Sequence, residues 1–262
     1  MSKNHTFRKI VVATALIGTA MYIANEYIMK IATSKDLLKK DNGEYYSFKY
    51  GKVFYKVSGE GKPILLIHDI NESSSSMEWC HLEKELSKTN KVYTIDLLGC
   101  GRSDKPYLTY TNYLYVQLVT DFINNIIGEK TSIVATGSSI SFAVLANNMN
   151  KNIIDKIITI NPADFKKFED TQDKFSSLKK TLLELPIVGT FIFNVRMSNT
   201  YLTKAFREEY YAKPQLISSK LIDAYYEAAH MSHSRGKYLL ASIEGNYISN
   251  DTCMTDTSGG VI

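Results

Sequence analysis

A chain of 262 residues, 44% hydrophobic and 22% charged, is long enough for one large α/β domain with a full core and is ordinary in composition for a globular protein. Its net charge of +4 is spread over interspersed lysines and glutamates rather than gathered in a basic block, which argues against nucleic-acid binding. Cys80, Cys100 and Cys253 lack CxxC spacing, so they suggest neither a disulfide framework nor a zinc site, and no metal is expected.

At the N-terminus Lys3, Arg8 and Lys9 precede an uncharged, mostly apolar stretch from Ile10 to Ala24. Residues 1–33 therefore read as a single uncleaved signal anchor attaching the chain to a membrane. The alternatives are a signal peptide cleaved near Gly18-Thr19-Ala20, giving a secreted protein, and an ordinary amphipathic helix. Basic residues flank both ends of the stretch, so charge orients it only weakly, and an extracytoplasmic placement is compatible with the pattern.

Beyond a polar linker, Glu44–Tyr50 and Lys52–Val57 alternate aromatic or β-branched residues with polar ones across Gly51, the pattern of a hairpin. The run Pro63–Ile67 follows, then a helix over Met77–Ser87 with Trp79, Leu82 and Leu86 on one face, then the run Val92–Leu97. The alternation continues with a helix over Asn112–Ile127, a strand over Ser132–Thr136, a helix after Ser139 and a strand over Lys156–Ile160. Apolar strands alternating with helices predict a mostly parallel sheet with helices on both faces, joined by right-handed crossovers.

From Phe165 to Arg235 strand signals stop. Helical stretches at Phe175–Leu185, Val195–Phe206 and Ser218–His230 are broken by Pro186, Gly189 and Pro214, which predicts a helical insertion. Its aromatic residues, among them Phe193, Phe206 and Tyr225, read first as core and second as the lining of a pocket for an acyl chain. A last helix over Lys237–Ile248 returns to the sheet. The expected division is thus the N-terminal segment 1–33, an α/β core 44–164, a helical insertion 165–235, a return helix 236–250, and a polar tail 251–262.

Gly137-Ser138-Ser139-Ile140-Ser141 lies where a strand turns sharply into a helix, with small residues two before and two after Ser139. Such a turn holds a serine hydroxyl out of the sheet beside a helix N-terminus, the placement of a nucleophile. His68-Asp69-Ile70 follows the strand ending at Ile67, where an oxyanion-hole loop would sit. The backbone amides of Ile70 and Ile140 could then face one carbonyl oxygen, although a carboxylate at Asp69 would repel the charge developing there if it pointed inward. Asp96-Leu-Leu-Gly-Cys-Gly-Arg-Ser-Asp-Lys-Pro106 lacks the third glycine and the Lys-Ser/Thr of a phosphate loop, so a bound nucleotide is disfavoured. His230 and His233, three apart on an expected helix, would share a face without a third ligand.

Taken together, His68-Asp69 after a strand, the Asp96-x-x-Gly99-x-Gly101-Arg102-Ser103-Asp104-Lys105-Pro106 segment, the elbow at Ser139 and Asn161-Pro162-Ala163 after the next strand resemble the α/β-hydrolase superfamily, in its single-domain members with a helical cap. The resemblance spans about Glu44 to Ile248. It implies an eight-stranded, mostly parallel sheet, a cap roofing the pocket, and a Ser-acid-His triad that uses no cofactor. It gives Ser139 the nucleophile's role and Ile140 and Ile70 the oxyanion-hole amides. The usual acid and histidine of the family lie past the cap and have no match here, so a form shortened at its C-terminus, its last strands missing, is expected. Asp164 is the alternative acid, because some family members take theirs from that site.

The implied function is a serine hydrolase acting on a small ester or related acyl substrate. Its rivals are a catalytically inactive fold serving as a binding or membrane-attached partner module, and transfer or lyase chemistry in the same pocket. No oligomeric state is readable.

Overall fold

The computed structural model describes residues 2–40, 42–162, 172, 174–210 and 217–248. Among them, strands β1 (Glu44–Phe48), β2 (Gly51–Ser58), β3 (Lys62–Ile67), β4 (Asn90–Ile95), β5 (Thr131–Gly137) and β6 (Ile154–Pro162) form one six-stranded sheet in the order β1-β2-β4-β3-β5-β6. The first two pairings in that order are antiparallel and the remaining three parallel. The expected mostly parallel sheet is therefore present, with six strands among the described residues where the resemblance implies eight.

Side-chain alternation decides which face each residue covers. In β3, Leu65 and Ile67 join the large core cluster while Leu66 joins the smaller one; in β5, Ile133 and Ala135 divide from Val134 in the same way. The smaller cluster is closed by Trp79, Leu82 and Leu86, the apolar face of helix α2 (Cys80–Leu86) and the 3₁₀ turn before it. The larger is closed by α3 (Asn112–Phe122) and α4 (Ser139–Met149), with Tyr115, Phe122 and Phe142 fully buried. Thr111 starts α3, its side chain accepting a hydrogen bond from the Leu114 amide, and a π-helical turn over Ile123–Ile127 lengthens it to the expected end.

The order of strands matters more than their number. The chain leaves β3 toward β4 on one side, and β5 lies on the other side of β3. The loops after β3 and β5 therefore diverge at the carboxyl ends of the strands, opening the crevice where open α/β sheets bind ligands.

Among the described residues after β6, the elements include the helices α5 (Ser176–Glu184), α6 (Val188–Arg196), α7 (Asn199–Ala205), α8 (Ser219–Ser234) and α9 (Lys237–Glu244). The expected helix over Val195–Phe206 is really two, because Ser198 turns the backbone to extended geometry and caps α7. α8 breaks at Met231, and Ser232 and His233 take left-handed backbone angles. These helices build their own core around Leu183, Phe193, Met197, Leu202, Phe206 and Ile222. α9 ties the two cores together, since Leu239 enters the core under the sheet and Leu240 enters the helical one.

The N-terminal segment forms one helix, α1 (Ser2–Ala32). It is exposed along its apolar length, with Phe7, Ile10, Leu16, Ile17 and Ile23 open to the surroundings, but Asn25, Met29, Ala32 and the following Leu38 are buried. Asn25 Nδ2 donates to Ile187 O at 3.1 Å, and Asn194 Nδ2 donates to Asn25 Oδ1 at 2.9 Å. The amides of Leu37 and Leu38 donate to the buried carboxylate of Glu227 at 2.8 and 3.1 Å. The end of α1 is thus packed into the helical layer rather than left as a free tether.

Candidate active site

Gly137 closes β5 with φ +59°, a left-handed angle that glycine adopts without strain. Space demands glycine as well, because a Cβ there would lie 2.2 Å from Asp69 Oδ1. Ser138 returns to helical geometry and Ser139 is the first residue of α4, so the strand does turn into a helix at the expected serine. The unusual backbone angle falls on Gly137, and Ser139 is not among the non-glycine residues with positive φ. Ser141, the second small residue, is buried and donates its hydroxyl to Ser138 O at 2.8 Å, tightening the turn.

Ser139 is fully buried, and its hydroxyl donates to the backbone carbonyl of His68. The loop after β3 and the elbow therefore meet, as the crevice geometry requires. His68 plays a structural part. Its Nε2 accepts from the Leu97 amide at 2.9 Å, so the proton sits on Nδ1, 2.7 Å from Asp69 O. Burial holds its pKa down at about 4 despite the attraction of Asp96, and the ring stays neutral.

Asp69 does point inward, the arrangement that the sequence set against an oxyanion hole here. Its Oδ1 accepts from the Ile70 amide at 2.8 Å and from the Ser138 amide at 2.7 Å. One of the two amides expected to stabilise an oxyanion is therefore engaged by a carboxylate that points into the elbow. Ile140 lies in the first turn of α4, where amide groups lack carbonyl partners one turn earlier. Burial raises the Asp69 pKa, against the two amide bonds that lower it. Behind it stands Glu78, which accepts from the Asp69 amide at 3.4 Å and is hydrogen-bonded by the side chains of Ser74 and, from α8, Tyr225. Burial pushes its pKa up to about 7, with the neighbouring charge of Asp69 adding to the shift. Sequence reasoning missed Glu78; its only signal was an acid beside Trp79 at the start of an apolar helix face.

The Asp96–Pro106 segment is a buttress for this loop. Arg102 Nε and amide both reach Asp96 Oδ2 at 2.8 Å, while the other carboxylate oxygen accepts from the Ser76 amide at 2.7 Å. The guanidinium lies 3.9 Å over the Phe54 ring. Gly101 is required here, since a Cβ would come 2.3 Å from Asp96 Oδ2. Burial works against the Asp96 charge, but Arg102 outweighs it and holds the pKa at about 2.

Among the described residues, neither His230 nor His233 is hydrogen-bonded to Ser139. Asp164 lies outside the described residues. His230 is buried, with Nδ1 2.7 Å from Tyr226 O, and among the described residues its Nε2 has no hydrogen-bond partner. His233 follows the break in α8, so the two histidines do not share a helix face. Among the described residues no group of three or more His, Cys, Asp or Glu could hold a metal ion.

A family model described as alpha/beta hydrolase fold matches residues 62–187, from β3 through the elbow to the start of α6. The chain has the α/β-hydrolase fold. A protein of Mycobacterium tuberculosis of uncharacterised activity is 27% identical over 139 residues, 51% of this chain and 40% of that protein, so the match spans well under half of the curated relative. Among solved structures, the epoxide hydrolase CorEH superposes with a TM-score of 0.61 at 17% identity, covering 78% of this chain and 73% of its own. A serine hydrolase involved in carbazole degradation gives a TM-score of 0.58 at 19% identity, covering 77% of this chain and 68% of its own. At such identities the superpositions establish the α/β-hydrolase fold. The same fold in these neighbours carries different hydrolytic chemistries, so the residues at the elbow carry the functional argument.

Proposed function

We propose that this chain is a membrane-attached α/β-hydrolase that acts on an ester or related acyl substrate, with Ser139 as its nucleophile. The observation that carries this reading is the position of Ser139: first residue of α4, at the carboxyl end of β5, beside the strand where the sheet order switches. Attack by Oγ on a substrate carbonyl would place the new oxyanion before the Ile140 amide, and before the Ile70 amide once the Asp69 carboxylate has turned away. A base must take the serine proton in place of the His68 carbonyl, and Asp164, just beyond β6, is proposed as the acid that would orient it. Helices within residues 165–235 serve as the cap, Tyr225 reaching down to Glu78. Attachment rests on α1, whose His5–Ala32 stretch is long and apolar enough to cross a membrane.

One observation favours a second reading, an inactive fold used for binding. The Ser139 hydroxyl is hydrogen-bonded to a carbonyl rather than to a base, and the Ile70 amide is taken by Asp69. A serine-directed fluorophosphonate probe separates the two. Labelling of the full chain that disappears in Ser139→Ala is the expected result. A well-folded, cooperatively unfolding sample that takes no label would establish the second reading instead.

A further inference from the structure

α5 carries its apolar residues on the wrong side for a helix of a water-surrounded domain. Leu178, Leu182 and Leu185, at helical spacing, are 64%, 44% and 42% exposed, and Ile187 and Val188 continue the patch into the start of α6. Among the described residues nothing covers it. Its position relative to α1 identifies an occupant. Asn25, the first buried polar residue of α1, donates to the carbonyl of Ile187, within this patch. The helix before it, His5 to Ala24, is uncharged from Ile10 onward; counted with Arg8 and Lys9, whose long stems can reach the far headgroups, it is about 20 residues, or roughly 30 Å, close to the ~30 Å hydrocarbon core of a bilayer. A bilayer crossed by that run would end at Asn25, level with the Leu182–Val188 patch.

We propose that the α5–α6 edge of the cap is a membrane-docking surface, which lies in the headgroup and upper acyl region of the same bilayer that α1 crosses. This rests on the anchor reading of α1 and extends it: the membrane holds the cap as well as the N-terminus. Three features fit. Lys179 on α5 is exposed beside the leucines and the acid of that helix, Glu184, is neutralised by Lys180 at 2.5 Å, so the helix offers anionic headgroups positive charge. Lys237 Nζ donates to Leu185 O at 2.9 Å, fixing the patch to α9. Ser234 Oγ donates to Asn194 Oδ1 at 2.8 Å, completing the polar link between α1, α6 and α8, so the span and the patch move as one body.

The test uses the full chain, with Cys80 and Cys253 replaced by serine, reconstituted into vesicles containing phosphatidylglycerol. An environment-sensitive fluorophore is placed at Leu178→Cys or Leu185→Cys and, as control, at Glu129→Cys, by the amino end of β5, the opposite end of the strand from the elbow. Docking predicts blue-shifted emission and loss of intensity to a lipid-borne quencher at both leucine positions, with neither at Glu129→Cys. Adding Leu182→Asp and Val188→Asp should abolish the shift at Leu178→Cys while the chain still floats with the vesicles. If the chain floats but the leucine labels behave like the control, the docking surface is overturned and the anchor stands. If the chain does not float, the anchor reading fails and the docking surface falls with it. Neither outcome touches the serine probe result.

Discussion

Asp96, fully buried, and Glu78, half-buried, are acids at the carboxyl end of the same sheet, yet their charges are handled in opposite ways. Asp96 has two backbone amides and the Arg102 guanidinium, which is itself stacked on Phe54, and its pKa sits at about 2. Glu78 has only uncharged donors, with a second carboxylate in front of it, and its pKa stands at about 7. A fully compensated charge holds the loop in place. An uncompensated one, linked to the elbow through Asp69, is a group whose proton is available near neutral pH. The contrast separates the buttress of the site from the part of it that can respond to substrate or protons.

The largest expected effect breaks the compensated half. Arg102→Met leaves Asp96 buried without its partner, so stability at pH 7 should fall by about 3–5 kcal/mol, read by denaturant unfolding. Asp96 is ionised in the wild-type fold down to its depressed pKa, so its contribution is present above about pH 4 and is lost as pH falls toward 2. In the variant the carboxyl protonates easily. The gap between the two proteins should therefore shrink at pH 3, and a gap that stayed constant would mean that the guanidinium acts by packing on Phe54 alone.

Next in size is Gly137→Ala, which combines a left-handed backbone angle with a Cβ 2.2 Å from Asp69 Oδ1. A loss of about 1–3 kcal/mol is expected. Removing the obstructing carboxylate should recover part of it, so the double variant with Asp69→Ala should be less destabilised than the two single losses added together. Strict additivity would show that backbone angle alone demands glycine there.

What the sequence revealed and what it hid divide along the same physical line. The sheet, its helices and the elbow follow from local patterns: the alternating run Lys52–Val57, the continuous apolar run Ile64–Ile67, a glycine two residues before Ser139. The state of the elbow depends on contacts across long separations. Nothing local says that Asp69 will fold back onto the amides of Ile70 and Ser138, or that Asn25 will meet Ile187. The broken α8 was unreadable for a related reason. Met231-Ser232-His233 contains no glycine or proline, yet Ser232, His233 and the fully buried Ser234, bonded to Asn194, take left-handed angles.

The smallest effect is the most informative about the uncompensated half. Glu78 is neutral in the fold up to about pH 7 but ionises near 4.5 when unfolded, so the folded state binds the extra proton between those values. Its contribution to stability is fully present at the acid end of that window and is lost as pH rises through 7. Between pH 6 and pH 8 this amounts to about 1 kcal/mol. His68 and His230, both held down to about 4, act with the opposite sign: the unfolded chain takes up their protons below 6.5, which weakens the fold as pH falls. In the wild type these slopes oppose one another two against one, so stability should still rise from pH 4.5 to 6.5, at about half the slope it would have without Glu78. Glu78→Gln removes one side of the balance. Its stability should rise steadily from pH 4.5 to 6.5 and then level off, where the wild type declines above 6.5, as followed by thermal unfolding across the range. If the two profiles run parallel, Glu78 is ionised throughout, a charged partner reaches it, and the two acids are compensated alike.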